Sequence, residues 1–350
     1  VSSPATAAGL APILGHERTI AHLRDALNHG RWHHAYLFEG AEGVGKRLVA
    51  LRLAMEANCT GAEPRPCGAC PTCRRIAAGT HPDVILLGPS DDRASRTISV
   101  EQVREVIRTS GYHRYDARQR FVIVDPADAM QATASNALLK TLEEPPDGTG
   151  FILITTHASA LLPTIRSRCQ RVRFGPLDRD VLTGWLEARG IEHAAQIAQL
   201  ADGRPGRALA LAEGALDQRV ELRQRLLTVL GGDLQGIFDF TNDLCGGARN
   251  QWMPRVDALL ELVEDLLRDA VVCAVDPERP LLNGDLHPVL EAWSAALWPA
   301  GIVACQHAVE ETRSDLVLNV SGKTTLDALL TRLATELGAA RQAGLHAQAS

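Results

Sequence analysis

The stretch "HAYLFEGAEGVGKRLVALRLAMEA", His34 to Ala57, decides the fold. It opens with a short apolar run, "HAYLFEG", which reads as a buried parallel strand. "GAEGVGKR", Gly40 to Arg47, follows as a glycine-rich turn, and "RLVALRLAMEA" continues as a helix. Strand, G-x-x-x-x-G-K turn and helix in succession make a phosphate cradle, in which backbone N–H groups and the helix N-terminus form an anion nest. Gly40, Gly43 and Gly45 shape the turn, and Lys46 is placed to reach outer phosphates. Arg47 then stands where the motif has the Ser or Thr whose hydroxyl binds magnesium.

Outward from this loop, "DVILLGP" (83–89), "RFVIVD" (120–125) and "GFILITT" (150–156) are three more short apolar runs bounded by charge or turn residues. They read as parallel strands of the same sheet, so residues 10–177 are expected to form an α/β domain. After "FGPL" (174–177) the strands stop. Residues 178–214 offer short helical segments broken by "ARG" and "DGRPG", the size of a small helical lid. From 215 to 338, apolar residues recur at three-four spacing, as in "PRVDALLELVEDLLRDAVVCAV", which predicts an all-helical third domain. Residues 1–9 and 339–350 are small and polar and are expected to be disordered. A second phosphate-loop ending, "SGKTT" (321–325), is a decoy, because the position six before Lys323 is Val317 and no core strand precedes it. It reads as a turn and helix start with Ser321 as N-cap.

The second catalytic strand of a loop ATPase ends in a magnesium-binding acid followed by a group that positions water. Here Asp125 fills the first role, but the next residue is Pro126, which supplies neither base nor hydrogen bond. Two catalytic positions, Arg47 and Pro126, are altered in one chain. No intrinsic ATPase activity is expected, and whether the loop holds ATP or ADP stays open.

Composition narrows the alternatives. A net charge of -6 and an aromatic content of 4% argue against holding nucleic acid by general electrostatics or by a stacking surface. No run approaches the roughly 18 to 20 apolar residues of a membrane helix, and the first residues lack a signal pattern, so a cytoplasmic location is expected. Four of eight cysteines, Cys59, Cys67, Cys70 and Cys73, crowd into "CTGAEPRPCGACPTC" (59–73). Four thiolates with Gly and Pro between them suit a closed, structural zinc site. An iron-sulfur cluster is the competing ligand, but the Cys-Pro that usually follows is missing after Cys73. Free thiols are a further alternative, and His81 could substitute for Cys59.

With these residues in hand, the chain resembles subunits of the bacterial replicative clamp loader, within the AAA+ family. The likeness runs from "ILGHERTIAHLRDAL" (13–27) through the phosphate loop and cysteine module to "NALLKTLEEPP" (136–146), "SRC" (167–169) and the helical end. It implies a RecA-like domain, a lid and an oligomerising collar. It also implies a complex of delta, delta-prime and gamma/tau ATPase subunits that loads the sliding clamp on primed DNA, as part of the DNA-directed DNA polymerase III holoenzyme. In that frame Arg168 of "SRC" is a trans arginine finger for a neighbouring gamma/tau site. Thr155, or Thr156, matches the sensor-1 position, and Arg207 in "GRPGRAL" matches the sensor-2 arginine. The losses at Arg47 and Pro126 point to the non-hydrolysing delta-prime branch, a stator. Two alternatives are a gamma/tau-like ATPase using Lys46 and Asp125, and an independent zinc-dependent nucleic-acid binder.

Overall fold

The computed structural model describes residues 13–89, 97–317 and 320–347. The expected tail at 1–9 lies outside these residues, and the backbone of the last helix runs on to Ala347. The four apolar runs form β1 (Ala35–Glu39), β2 (Val84–Leu87), β3 (Arg120–Val124) and β4 (Thr149–Thr155). A fifth strand, β5 (Gln170–Arg173), adds to that set. Its sequence "QRVR" is polar and largely exposed at a sheet edge, so it carries none of the apolar continuity that marks the other four.

All pairings are parallel, in the order β2-β3-β4-β1-β5. Alternation along each strand sends Tyr36, Phe38, Phe121, Ile123, Ile152 and Ile154 to one face. There they meet α1 (Glu17–Asn28), α2 (Lys46–Asn58) and α3 (Pro71–Ala77). Ala35, Leu37, Val122, Val124, Phe151 and Leu153 point to the other face. They pack on α4 (Val100–Ser110), α5 (Ala132–Glu143) and α6 (Pro163–Arg166). A sheet buried on both sides explains why its central strands read as continuous apolar runs. This is the α/β architecture of the AAA+ resemblance. Because β1 lies between β4 and β5, the loop leaving β1 opens at the switch point of the sheet, above the carboxyl ends of the strands.

The remaining helices are α7 (Arg179–Glu187), α8 (Ala194–Ala201), α9 (Pro205–Ala210), α10 (Leu216–Leu230), α11 (Leu234–Leu244), α12 (Arg249–Val275), α13 (His287–Leu297), α14 (Ala300–Val317) and α15 (Gly322–Ala347). The chain divides into two units, Val1–Trp185 with Gly203–Leu209, and Leu186–Asp202 with Ala210–Ser350. The second unit is helical and centred on α12, whose Val256, Leu259, Leu260, Val263, Leu266 and Leu267 are buried. Within that unit Asp269 is fully buried and accepts hydrogen bonds from the backbone N–H of Leu282 (2.9 Å) and Asn283 (2.8 Å), which pins the connection between α12 and α13. The start of α15 follows the expected cap, with Thr324 N–H facing Ser321 Oγ at 3.5 Å. No single helix among the described residues is long and apolar enough to cross a membrane.

Candidate functional site

The phosphate loop joins β1 to α2; Gly40, Gly43 and Gly45 lie in it, and Lys46 and Arg47 open α2. Lys46 is buried, and its ammonium donates to the carbonyls of Gly40 (2.6 Å) and Ala41 (2.7 Å). Burial pulls its pKa down, while Asp125, Glu42 and Asp128 oppose that fall. Gly43 has φ +81°, a conformation that disfavours a side chain. Its carbonyl accepts the backbone N–H of Gly206 at 2.8 Å, and a Cβ on Gly43 would stand 3.1 Å from the backbone nitrogen of Arg207. The "GRPG" turn is thus hydrogen-bonded to the loop, and the backbone of Arg207 is brought to it. His16 ties to the loop, donating from Nε2 to the Val44 carbonyl at 3.0 Å.

Asp125 lies just past β3, facing the loop. Burial raises its pKa, against the pull of Arg47 and Lys46. The Nε of Arg47 stands 3.9 Å from Asp125 Oδ2, so the carboxylate faces a guanidinium at the position where the motif has a metal-binding hydroxyl. Thr155 ends β4 fully buried; its hydroxyl donates to Asp128 Oδ1 at 2.6 Å and accepts from His157 N–H at 3.0 Å. Thr156 is satisfied differently, with its hydroxyl 2.9 Å from His157 Nδ1. Asp128, two residues beyond Pro126, has no mark in the sequence, because only the closure of β3 against β4 makes it the partner of Thr155.

Arg168 follows α6 and is one-third exposed (33%). Its Nη1 donates to the Thr164 carbonyl at 2.8 Å, and its Nη2 pairs with the Glu143 carboxylate. Glu143 is the last residue of α5 and belongs to "NALLKTLEEPP", so the two most diagnostic stretches of the sequence meet at one ion pair. On β5, Arg171 and Arg173 both pair with Glu39 at the end of β1 (2.6 and 2.7 Å).

The four module cysteines come together, with all four sulfurs within 4.8 Å of one another. A zinc tetrahedron with bonds of roughly 2.3 Å sets its sulfurs about 3.8 Å apart, so the donor set and spacing fit that ion. Each turn also directs an N–H at a sulfur: Cys67 N to Cys59 Sγ (3.4 Å), Cys70 N to Cys67 Sγ (3.3 Å) and Cys73 N to Cys70 Sγ (3.4 Å). Burial pushes the Cys70 thiol up, but the Cys73 N–H and the hydrogen bonds from Thr60 outweigh it and bring its pKa down to about 5. Burial dominates at Cys73 and raises it. Gly61 is needed here for space, since a Cβ would lie 2.5 Å from Cys67 Sγ. His81 lies outside the cluster; its Nδ1 accepts from Asp83 N–H at 3.1 Å.

Comparison with known proteins extends the likeness over as much as 90% of the chain. The family described as "DNA polymerase III, delta subunit" matches residues 15–178. The DNA polymerase III subunit delta-prime of Haemophilus influenzae is 31% identical over 329 residues, covering 90% of this chain and 94% of that protein. The Escherichia coli delta-prime subunit is 36% identical over 230 residues, 64% of this chain and 68% of that one. This chain belongs to the delta-prime family of DNA polymerase III. The clamp-loader resemblance drawn from the motifs is borne out. The tau subunit of Escherichia coli is also similar, 38% identical over 215 residues, but the match spans 59% of this chain and only 33% of tau. Among solved structures, a gamma subunit-related protein of Thermotoga maritima aligns with a TM-score of 0.41 at 18% identity, covering 90% of this chain and 99% of that one. For a delta-prime family member, the four-cysteine cluster is consistent with a structural zinc site. Glu143, Asp128 and Gly206 are contacts of the site to which the motifs assigned no role, although Glu143 lies within "NALLKTLEEPP" and Gly206 within "GRPGRAL".

Proposed function

We propose that this chain is a non-hydrolysing stator of a bacterial clamp loader, which supplies Arg168 in trans to the ATP site of an adjacent gamma/tau subunit. The observation that carries this reading is the pairing of Asp125 with Arg47 at 3.9 Å. The carboxylate that would ligate magnesium faces a side-chain cation, and Lys46 donates to the loop's own carbonyls. Pro126 removes the group that would orient water. Arg168, by contrast, sits at the surface at the end of α6. An arginine supplied in trans is worth 10³ to 10⁵ in rate, about 4 to 7 kcal/mol of barrier.

In this reading residues 178–214 serve as the lid and 215–338 as the collar, through which the chain joins the delta and gamma/tau subunits. Contact with the sliding clamp and primed DNA is made by the assembled complex. Zinc, held by Cys59, Cys67, Cys70 and Cys73, is structural, because all four ligands come from the protein. The test is DNA- and clamp-stimulated ATP hydrolysis by the reconstituted loader at verified equal assembly. Arg168→Ala is expected to lower the rate at least tenfold, with Lys46→Ala close to wild type. The opposite pattern would establish a gamma/tau-like ATPase in which Lys46 and Asp125 do the chemistry.

A further inference from the structure

Glu143 is an acid at the wrong end of a helix. It closes α5, where the last unpaired carbonyls carry partial negative charge and a carboxylate is disfavoured. The two prolines after Glu144 stop the helix there, so the position of Glu143 relative to the sheet is fixed. What compensates the carboxylate is Arg168, whose Nη2 it binds while Nη1 is held by the Thr164 carbonyl. The guanidinium is thereby fixed from two helix ends, α5 and α6, and remains one-third exposed.

We propose that Glu143 is the positioning residue of Arg168, setting the direction in which its guanidinium leaves the surface. This rests on the reading of Arg168 as a trans finger. An arginine side chain has many rotamers, and an untethered one samples directions that miss a neighbour's phosphates. Two anchors on rigid elements remove most of that freedom before the subunits meet, leaving further N–H donors of the fork for a phosphate. An ion pair this exposed contributes little to stability, so its effect belongs to the rate.

The experiment uses the reconstituted loader with Glu143→Ala, Glu143→Gln, Arg168→Ala and the Glu143→Ala/Arg168→Ala double variant, at equal assembly and with thermal melts of each free chain. Glu143→Ala is expected to lower the stimulated kcat about fivefold to tenfold, with KM for ATP and the melting curve unchanged. Glu143→Gln, which keeps an acceptor oxygen for Nη2, is expected to recover most of that loss. The double variant should be no slower than Arg168→Ala alone, because Glu143 acts only through the arginine. If Arg168→Ala is slow but Glu143→Ala matches wild type, or runs faster, positioning is wrong while the stator reading stands. Positioning is equally wrong if Glu143→Ala slows the Arg168→Ala background further. If Arg168→Ala itself is silent, the finger reading fails and the positioning role goes with it.

Discussion

Single residues decide whether this site does chemistry or only lends a side chain, and several of them are visible in the sequence. Arg47 departs from a motif of fixed spacing and Pro126 from the acid-ended second strand, so both departures are visible in the chain itself. The buried pair Asp83 and Arg120 is the opposite case. Nothing in "HPDVILL" announces it, yet the two side chains are 1% and 4% exposed and 2.7 Å apart. Burial pushes the Asp83 carboxyl up, but the N–H groups of Asp116 and Ala117 and the Arg120 guanidinium outweigh it and hold its pKa low. Arg120 in turn donates to the carbonyls of Thr109, Ser110, Tyr112 and His113, so the pair shapes the whole 109–117 turn. Asp83→Asn leaves the guanidinium without its counter-charge and is expected to cost about 3 to 5 kcal/mol, read from urea unfolding. Because the folded pKa is depressed, the contribution of Asp83 is complete above the ordinary aspartate value of about 4 and is lost as pH falls below it. The wild-type chain should therefore lose stability in that acid window by more than the Asn variant does.

At the scale of elements, apolar continuity located four strands and missed β5, and the reason is its position. A central strand must bury both faces, whereas β5 lies at an edge with Gln170, Arg171 and Arg173 exposed, and such charges also discourage pairing with another chain. The cysteine module was legible because four cysteines crowded into one short segment have a spacing signature. Its packing was not: Cys59 and Cys73 are fully buried in the same core as Leu53, Ile76 and Phe121. Removing zinc should consequently loosen that face of the sheet. Metal analysis is expected to find about one zinc per chain, and a strong chelator is expected to lower the melting temperature by roughly 10 °C or more. An unchanged melt after verified metal loss would mean that hydrogen bonding and packing hold the module alone. Gly61→Ala should reproduce part of the chelator's effect by pushing on Cys67 Sγ.

For the whole molecule, charge is the property that sorts the remaining readings. A chain of net charge -6 has no general means of releasing counterions from DNA. The isolated chain is expected to bind primed DNA only weakly, with no saturation by fluorescence anisotropy up to about 10 μM at roughly 150 mM salt. Tight binding that falls steeply with salt would favour the independent nucleic-acid binder instead. The helical second unit has its own core around α12, and the buried Asp269 that ties residues 282 and 283 to it carries no local sequence mark.

The sequence by itself determined the α/β sheet, the altered phosphate loop, the four-cysteine module and the helical end, because each is written in periodicity or spacing along a short segment, and the clamp-loader kinship came from the resemblance of whole motifs spread along the chain. Only the tertiary structure decided which residues meet across the chain. It set Glu143 against Arg168, Gly206 against Gly43, and Asp128 against Thr155. These contacts arise from chain closure between distant segments: Arg168, Gly43 and Thr155 are marked by their motifs, but the residue each one meets is chosen by the packing of helices and strands.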